Sequence, residues 1–292
     1  MSSAADAPTP DDQRAASRAG WEKTAAGWDA HREWIEQSMG PVSHAMIEAV
    51  SPQPGHVVLE AAAGLGETGL LAAELVHPGG RVIISDGAQA MVEAAKRRVE
   101  ERGAGNVEVT PMELEWLDME AASVDAVLVR FGYMLVPDPE AALRDARRVI
   151  RPGGRIAFAV WAAEARNPWF EVGMKILAEH GLAEWPVPAG TPGPFALTDG
   201  DALIELVAGT GFVLPELVEV EISFRSPDIA TARERFVGVS GRARVALEEA
   251  PADRRAAVER AFDEALAAYP DPNGPEGAVA LPGVALVVAA DA

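Results

Sequence analysis

Gly64-Leu65-Gly66-Glu67-Thr68-Gly69 follows a short apolar run, Val57-Val58-Leu59, that ends in Glu60 and three small residues, Ala61-Ala62-Ala63. The order is strand, tight turn and helix N-terminus, with glycines where a ligand must approach backbone. The spacing matches the G-x-G-x-x-G pattern of dinucleotide binding. Asp86 follows near the distance expected of an acid that grips ribose hydroxyls. An adenosine-containing cofactor is the first chemistry to consider. Two features turn the reading from NAD towards S-adenosylmethionine. Glu60 stands four residues before Gly64, where a carboxylate suits an ammonium and a sulfonium better than a pyrophosphate. The strand–turn–helix unit also begins only after some 55 residues, which read as helices able to cover a cofactor.

The elements that must position these residues alternate. Strands are expected at His56–Ala61, Arg81–Asp86, Val107–Thr110, Val124–Arg130 and Arg155–Trp161, with helices between them at Glu67–Leu75, Ala88–Arg102 and Pro139–Ile150. This predicts an α/β protein with a doubly wound, mostly parallel, Rossmann-like sheet. Ahead of it, residues 1–17 read as a disordered tail and residues 18–54 as a helical N-terminal cap. Within the cap, Trp21, Trp28, Trp34 and Ile35 recur at helical spacing up to Gln37, and a second helix spans Val42–Val50. Residues 55–161 form the cofactor-binding core. Residues 162–292 hold helices Pro168–Gly181 and Asp199–Ala208, strand Leu217–Phe224, a helical excursion from Asp228 to Tyr269, and a last strand, Val284–Ala290. A long insertion near the end of a sheet reads as a C-terminal lid covering substrate.

Further segments fall in order after the glycine run: Val82-Ile83-Ile84-Ser85-Asp86 continued by Gly87 to Met91, Met112-Glu113-Leu114, Ser123-Val124-Asp125-Ala126-Val127-Leu128-Val129, and Arg148-Val149-Ile150-Arg151-Pro152-Gly153-Gly154-Arg155. With Glu60 to Gly66 they resemble the five motifs of class I S-adenosylmethionine-dependent methyltransferases, in the branch of the ubiquinone/menaquinone-biosynthesis methyltransferases (methyltransferase type 11). The resemblance covers about residues 20–161, and Leu281-Pro282-Gly283-Val284-Ala285-Leu286 resembles that branch's ending. It implies that Glu60 and the backbone of Ala62, Gly64 and Gly66 flank the methionyl end of the cofactor. Asp86, beside Gly87, would accept from both ribose hydroxyls, and Met91 would pack on adenine. Met112-Glu113-Leu114 would meet the adenine edge, and the Arg130 carbonyl the cofactor ammonium. Two positions depart from the family: Ala62 replaces its first glycine, and Glu113 its usual Asp. The Ala62 methyl is accommodated if φ stays negative.

Methyl transfer from a sulfonium needs alignment and exclusion of water more than a base. Base candidates are His31, His180 and Tyr133; neither histidine has an evident orienting partner. Trp28, Arg130, Phe131, Tyr133, Trp161, Asn167 and Trp169 are the residues expected to shape a substrate pocket, suited to a planar aromatic or isoprenoid-like acceptor. No histidine pair shows metal-ligand spacing, and with no cysteine there is no thiolate site, so no metal is expected.

Forty-five acidic against 25 basic residues give a net charge of −20, which disfavours nucleic acid as a partner. Met1 to Gln13 lack the basic and apolar segments of a signal peptide, and no apolar run reaches membrane-spanning length. The expectation is a cytoplasmic enzyme without membrane insertion. It would methylate an oxygen or carbon of a small hydrophobic or aromatic metabolite, releasing S-adenosyl-L-homocysteine. Oligomeric state stays open, a homodimer included. Two alternatives stand beside this: an NAD-dependent oxidoreductase, and an S-adenosylmethionine-binding protein of this fold that is regulatory or cyclase-like.

Overall fold

The computed structural model describes residues 8–292 apart from residue 189. Seven strands form one sheet: β1 (Val57–Glu60), β2 (Arg81–Asp86), β3 (Val107–Pro111), β4 (Val124–Arg130), β5 (Ile150–Trp161), β6 (Val213–Ser226) and β7 (Val279–Asp291). Their order is β3-β2-β1-β4-β5-β7-β6. β1 to β5 pair in parallel, while β7 runs antiparallel to both β5 and β6. The order reverses between β1 and β4, and open α/β sheets hold ligands beyond the carboxyl ends of their strands at such a switch point.

Helices α1 (Pro10–Ala30), α2 (Arg32–Val50), α3 (Glu67–Leu75), α4 (Gln89–Arg102), α5 (Pro139–Val149), α6 (Pro168–Glu179) and α7 (Gly200–Gly209) connect and cover the sheet. Three more, α8 (Ile229–Val239), α9 (Gly241–Glu249) and α10 (Ala252–Leu266), fill the excursion between β6 and β7. Among the described residues, no helix is long and apolar enough to cross a membrane.

The N-terminal part departs from the sequence expectation. Residues 10–17, expected as disordered tail, are the first two turns of α1; residues 1–7 of that tail lie outside the described residues. Thr9 caps the helix: its hydroxyl accepts from the Asp12 N–H at 3.2 Å, and the Asp12 carboxylate accepts from the Thr9 N–H at 3.0 Å. Pro10 fits the first helical turn, where its missing N–H leaves no bond unmade. The break between the two helices falls at His31 rather than between Gln37 and Val42, so α2 runs straight through Pro41. Pro41 faces solvent, where water can take up the carbonyl it leaves unpaired.

Helix α1 is fastened on both sides. The Glu22 carboxylate accepts from the N–H groups of Gln89 at 2.5 Å and Ala90 at 3.0 Å, capping α4 from another element. On the opposite side the Trp28 indole donates to the Val239 carbonyl at 3.0 Å, and Gly27 lies so close to α8 that a β-carbon there would overlap the Gly238 carbonyl. Below, Trp34, Trp169, Phe224 and Phe236 form an aromatic cluster, with the Trp169 and Phe224 rings stacked 4.0 Å apart. The excursion after β6 thus braces α1 from behind.

Candidate active site

A cleft opens at the switch point, beyond the carboxyl ends of β1, β2 and β4. Its floor is the turn Ala62-Ala63-Gly64; one end holds Asp86, Gly87, Met91, Glu113 and Leu114, the other Arg130, Phe131 and Gly132, and α1 forms its cover.

Asp86 ends β2 and ties the two loops together. One carboxylate oxygen accepts from the Gly64 N–H and the other from the Ala88 N–H, both at 2.9 Å. Each oxygen keeps a further lone pair for a ligand hydroxyl. Burial raises this carboxyl above the usual range; the two N–H bonds oppose that, and Glu113 and Glu22 reinforce it. Glu113 is ion-paired with Arg18 of α1. Met91 is fully buried with Leu65, Ala88, Ala25 and Ala94, and Trp21 and Trp28 pack on that group. Gly132 must be glycine: a β-carbon would meet Val129 Cγ1 at 2.7 Å and the Ala62 methyl at 2.8 Å.

Ala62 itself has φ +50°, not the negative φ expected, and Phe131 has φ +62°. Both are held in the left-handed region that side chains disfavour. The Phe131 ring is fixed by stacking on Trp161 at 4.0 Å, with 11° between planes.

Three residues expected at the cofactor do not line the cleft. Glu60 is 0 % exposed and turns beneath the turn, accepting from the Gly69 N–H at 2.7 Å. Burial pushes its carboxyl up to about 7, with Arg130 and the Gly69 N–H pulling it down. Gly66 starts α3 with φ +77°, and its missing β-carbon lets Ile84 approach. Met112 packs on the main core. This geometry also removes the reason first given for setting a pyrophosphate aside, because Glu60 does not face the cleft. The N-terminus of α3, where a pyrophosphate would sit, instead carries Glu67 in its first turn and Glu60 on the Gly69 N–H, which disfavours a second anion there.

Among the residues expected at the substrate, Trp28, Arg130 and Phe131 line the cleft, whereas Tyr133, Trp161, Asn167 and Trp169 do not. Tyr133 is buried edge-on against Phe158 with no hydrogen-bond partner for its hydroxyl among the described residues; burial, and then Asp145, push its phenol well above 10. Asn167 is fully buried and bridges the Ala162 carbonyl, at 3.1 Å, to the Val284 N–H, at 2.9 Å, fixing the β5–α6 corner to β7. Trp169 sits in the aromatic cluster. Neither histidine candidate lines the cleft. His31 packs on Gly238 and is held below its usual pKa by burial; His180 ends α6 with Nδ1 2.9 Å from the Ile176 carbonyl. No residue after Pro137 lines the cleft among the described residues, so the cover expected from residues 162–292 is supplied by α1. No group of acids and histidines there is arranged to hold a metal.

The cleft also contains residues the sequence reading passed over: Arg14, Ser17 and Arg18 on α1, Met39 on α2, Glu115, and Leu135 to Pro137. Arg14 forms a fork on Glu115, both bonds 2.8 Å, and lies over the Trp116 ring at 4.7 Å. The signal was present. Arg14, Arg18, Trp21 and Trp28 repeat at helical spacing behind the Thr9-Pro10-Asp11-Asp12 start signature.

Set beside known proteins, residues 28–180 match the model of the ubiE/COQ5 methyltransferase family. Nocamycin O-methyltransferase of Saccharothrix syringae is 30% identical over 240 residues, 78% of this chain and 84% of that one. The ubiquinone/menaquinone biosynthesis C-methyltransferase UbiE of Cellvibrio japonicus is 36% identical over 111 residues. That match spans 38% of this chain and 45% of the other, so the chain accounts for less than half the length of this relative. The YcgJ protein of Bacillus subtilis has the same fold, with a TM-score of 0.54 at 20% identity over 85% of this chain and 97% of its own. Fold, motifs and relatives agree: the chain belongs to the ubiE/COQ5 methyltransferase family.

Proposed function

We propose that the protein methylates an acidic oxygen of a small hydrophobic metabolite, using S-adenosylmethionine held in the cleft at the switch point. When bound, this cofactor supplies a sulfonium-activated methyl group for in-line displacement and departs as S-adenosylhomocysteine. Three features of the cleft fit it. Asp86 is held by two backbone N–H groups with lone pairs left for a ribose diol. Gly132, lacking a β-carbon, lets the end of β4 close against Ala62 and Leu114 and holds the two loops of the cleft together. Arg130 carries a buried N–H group without a partner among the described residues. Glu113 and the Leu114 backbone would meet the adenine edge, with Met91 and Trp21 against its plane.

The acceptor class follows from the acids and bases of the cleft. No histidine lines it, and Asp86, Glu113 and Glu115 all have partners among the described residues. A cleft without a free base suits an acceptor that ionises unaided, such as a carboxylate or an acidic enol or phenol. The O-methyltransferase relative, which aligns over most of both chains, favours oxygen over carbon. The protein's part is to hold the acceptor in line and, through α1 with Trp21 and Trp28, to exclude water. The lack of a free base is the observation that carries this reading. It is tested with labelled S-adenosylmethionine against panels of hydrophobic carboxylates, acidic phenols and neutral alcohols. Transfer to the acidic panels alone is expected; transfer to neutral alcohols would overturn the acceptor assignment.

A further inference from the structure

Arg130 is the last residue of β4 and only 9 % exposed. One end of its guanidinium, Nη2, donates to Glu67, while Nη1 is enclosed and has no partner among the described residues. Glu67 cannot satisfy it alone, because the second Glu67 oxygen is taken by Arg98 at 3.0 Å. Arg98 reaches on to Glu36 at 2.6 Å, and Glu36 is shared with Arg102 at 3.2 Å. Three guanidinium groups thus divide two carboxylates, and the cation left short of a partner is the one that lines the cleft. A buried charged donor with an unmade hydrogen bond is costly to leave unmet. Glu60, the other acid beneath the turn, feels the Arg130 charge but is not hydrogen-bonded to it: Oε2 accepts from the Gly69 N–H and Oε1 has no partner among the described residues.

The position of Arg130 sets what can meet that N–H group. Asp86 ends β2, Arg130 ends β4, and β1 lies between them in register with both. Two strand spacings separate them, about 10 Å. Both line the same cleft. A ribose held by Asp86 and a chain running C5′–S–Cγ–Cβ–Cα across the end of β1 bring a carboxylate to the Arg130 side. We infer that the Arg130 guanidinium binds the carboxylate of the cofactor's methionyl tail, with Glu67, itself held by Arg98, as its positioning residue. This rests on the methyl-transfer reading above. It differs from the role first expected of Arg130, in which only its carbonyl met the cofactor. It makes Arg130 the residue that distinguishes a thioether nucleoside bearing an amino-acid tail from one without.

The test is calorimetric titration of S-adenosylhomocysteine and of its carboxamide, which neutralises the carboxylate and keeps the ammonium. The full chain is compared with its Arg130→Met variant. The wild type is expected to prefer S-adenosylhomocysteine by roughly tenfold to a hundredfold, the range for hydrogen bonds to a charged group. Arg130→Met is expected to bind both compounds alike, at the wild type's affinity for the carboxamide. If that variant does not fold, the Arg130→Met/Glu67→Gln pair, which removes the Glu67 charge together with the cation it binds, takes its place with the same expectation. Equal affinity of the wild type for the two compounds, or an equal loss for both in the variant, overturns the inference and leaves the cofactor reading standing. A wild type that binds neither compound overturns both.

Discussion

Glu60→Gln isolates one buried ionisation at the base of the site. The side chains have nearly the same shape, and the carbonyl oxygen of the substituted amide can keep the bond from the Gly69 N–H, 2.7 Å in the wild type. Burial raises the Glu60 carboxyl from 4.5 to about 7. A carboxyl whose pKa is higher in the folded chain favours folding while it is protonated. That contribution is full below 4.5 and is lost as pH rises to about 7. At about 1.4 kcal/mol per pH unit the loss amounts to about 3 kcal/mol. Glutamine does not titrate, so the two proteins are expected to have matching stability at pH 4.5, with the variant gaining across that window. Above pH 8 Glu60→Gln is expected to melt roughly 5–10 °C higher than the wild type. Thermal unfolding followed by circular dichroism at pH 4.5, 6 and 8 measures the difference directly. A difference that does not change with pH would refute the assignment of a strongly raised carboxyl. So would a wild type that melts higher at pH 8, which would mean that Arg130 over-compensates the burial.

Ala62→Gly removes a side chain from a residue with φ +50° and relieves about 1 kcal/mol of left-handed strain, part of which returns as unfolded-chain entropy. The melting temperature is expected to hold or rise; a fall of several degrees would contradict the strain. Gly27→Ala places a β-carbon against the Gly238 carbonyl and pushes α1 off α8, so a loss of about 1–3 kcal/mol is expected with weakened S-adenosylhomocysteine binding. Lost stability with unchanged binding would show that α1 is not the cover of the cleft.

The central α/β units were legible because their signals are local. Glu67–Leu75 and Val124–Arg130 fall where glycine punctuation and apolar runs put them. Asp86, Gly87, Met91, Glu113, Leu114 and Arg130 converge on one cleft because each stands at or just beyond the carboxyl end of a strand, or early in the helix that follows. What stayed hidden depends on partners distant in the chain. Residues 10–17 look like a polar tail until Arg14 meets Glu115. Trp169 and Asn167 have residue types that suit a pocket, and only packing against Phe224 and β7 shows them to be internal. In the sequence Glu60 reads as an acid flanking the cofactor; the close approach of α3 encloses it instead.

The central claim, that the cleft at the switch point is an S-adenosylmethionine site anchored by Asp86, is tested most directly by calorimetric titration of S-adenosylhomocysteine into the wild type and Asp86→Ala, with NADH as the control ligand. The account predicts micromolar binding of S-adenosylhomocysteine to the wild type, no binding of NADH, and an affinity roughly ten- to a hundredfold weaker in the variant. Binding of NADH alone, or undiminished binding of S-adenosylhomocysteine to Asp86→Ala, would contradict it.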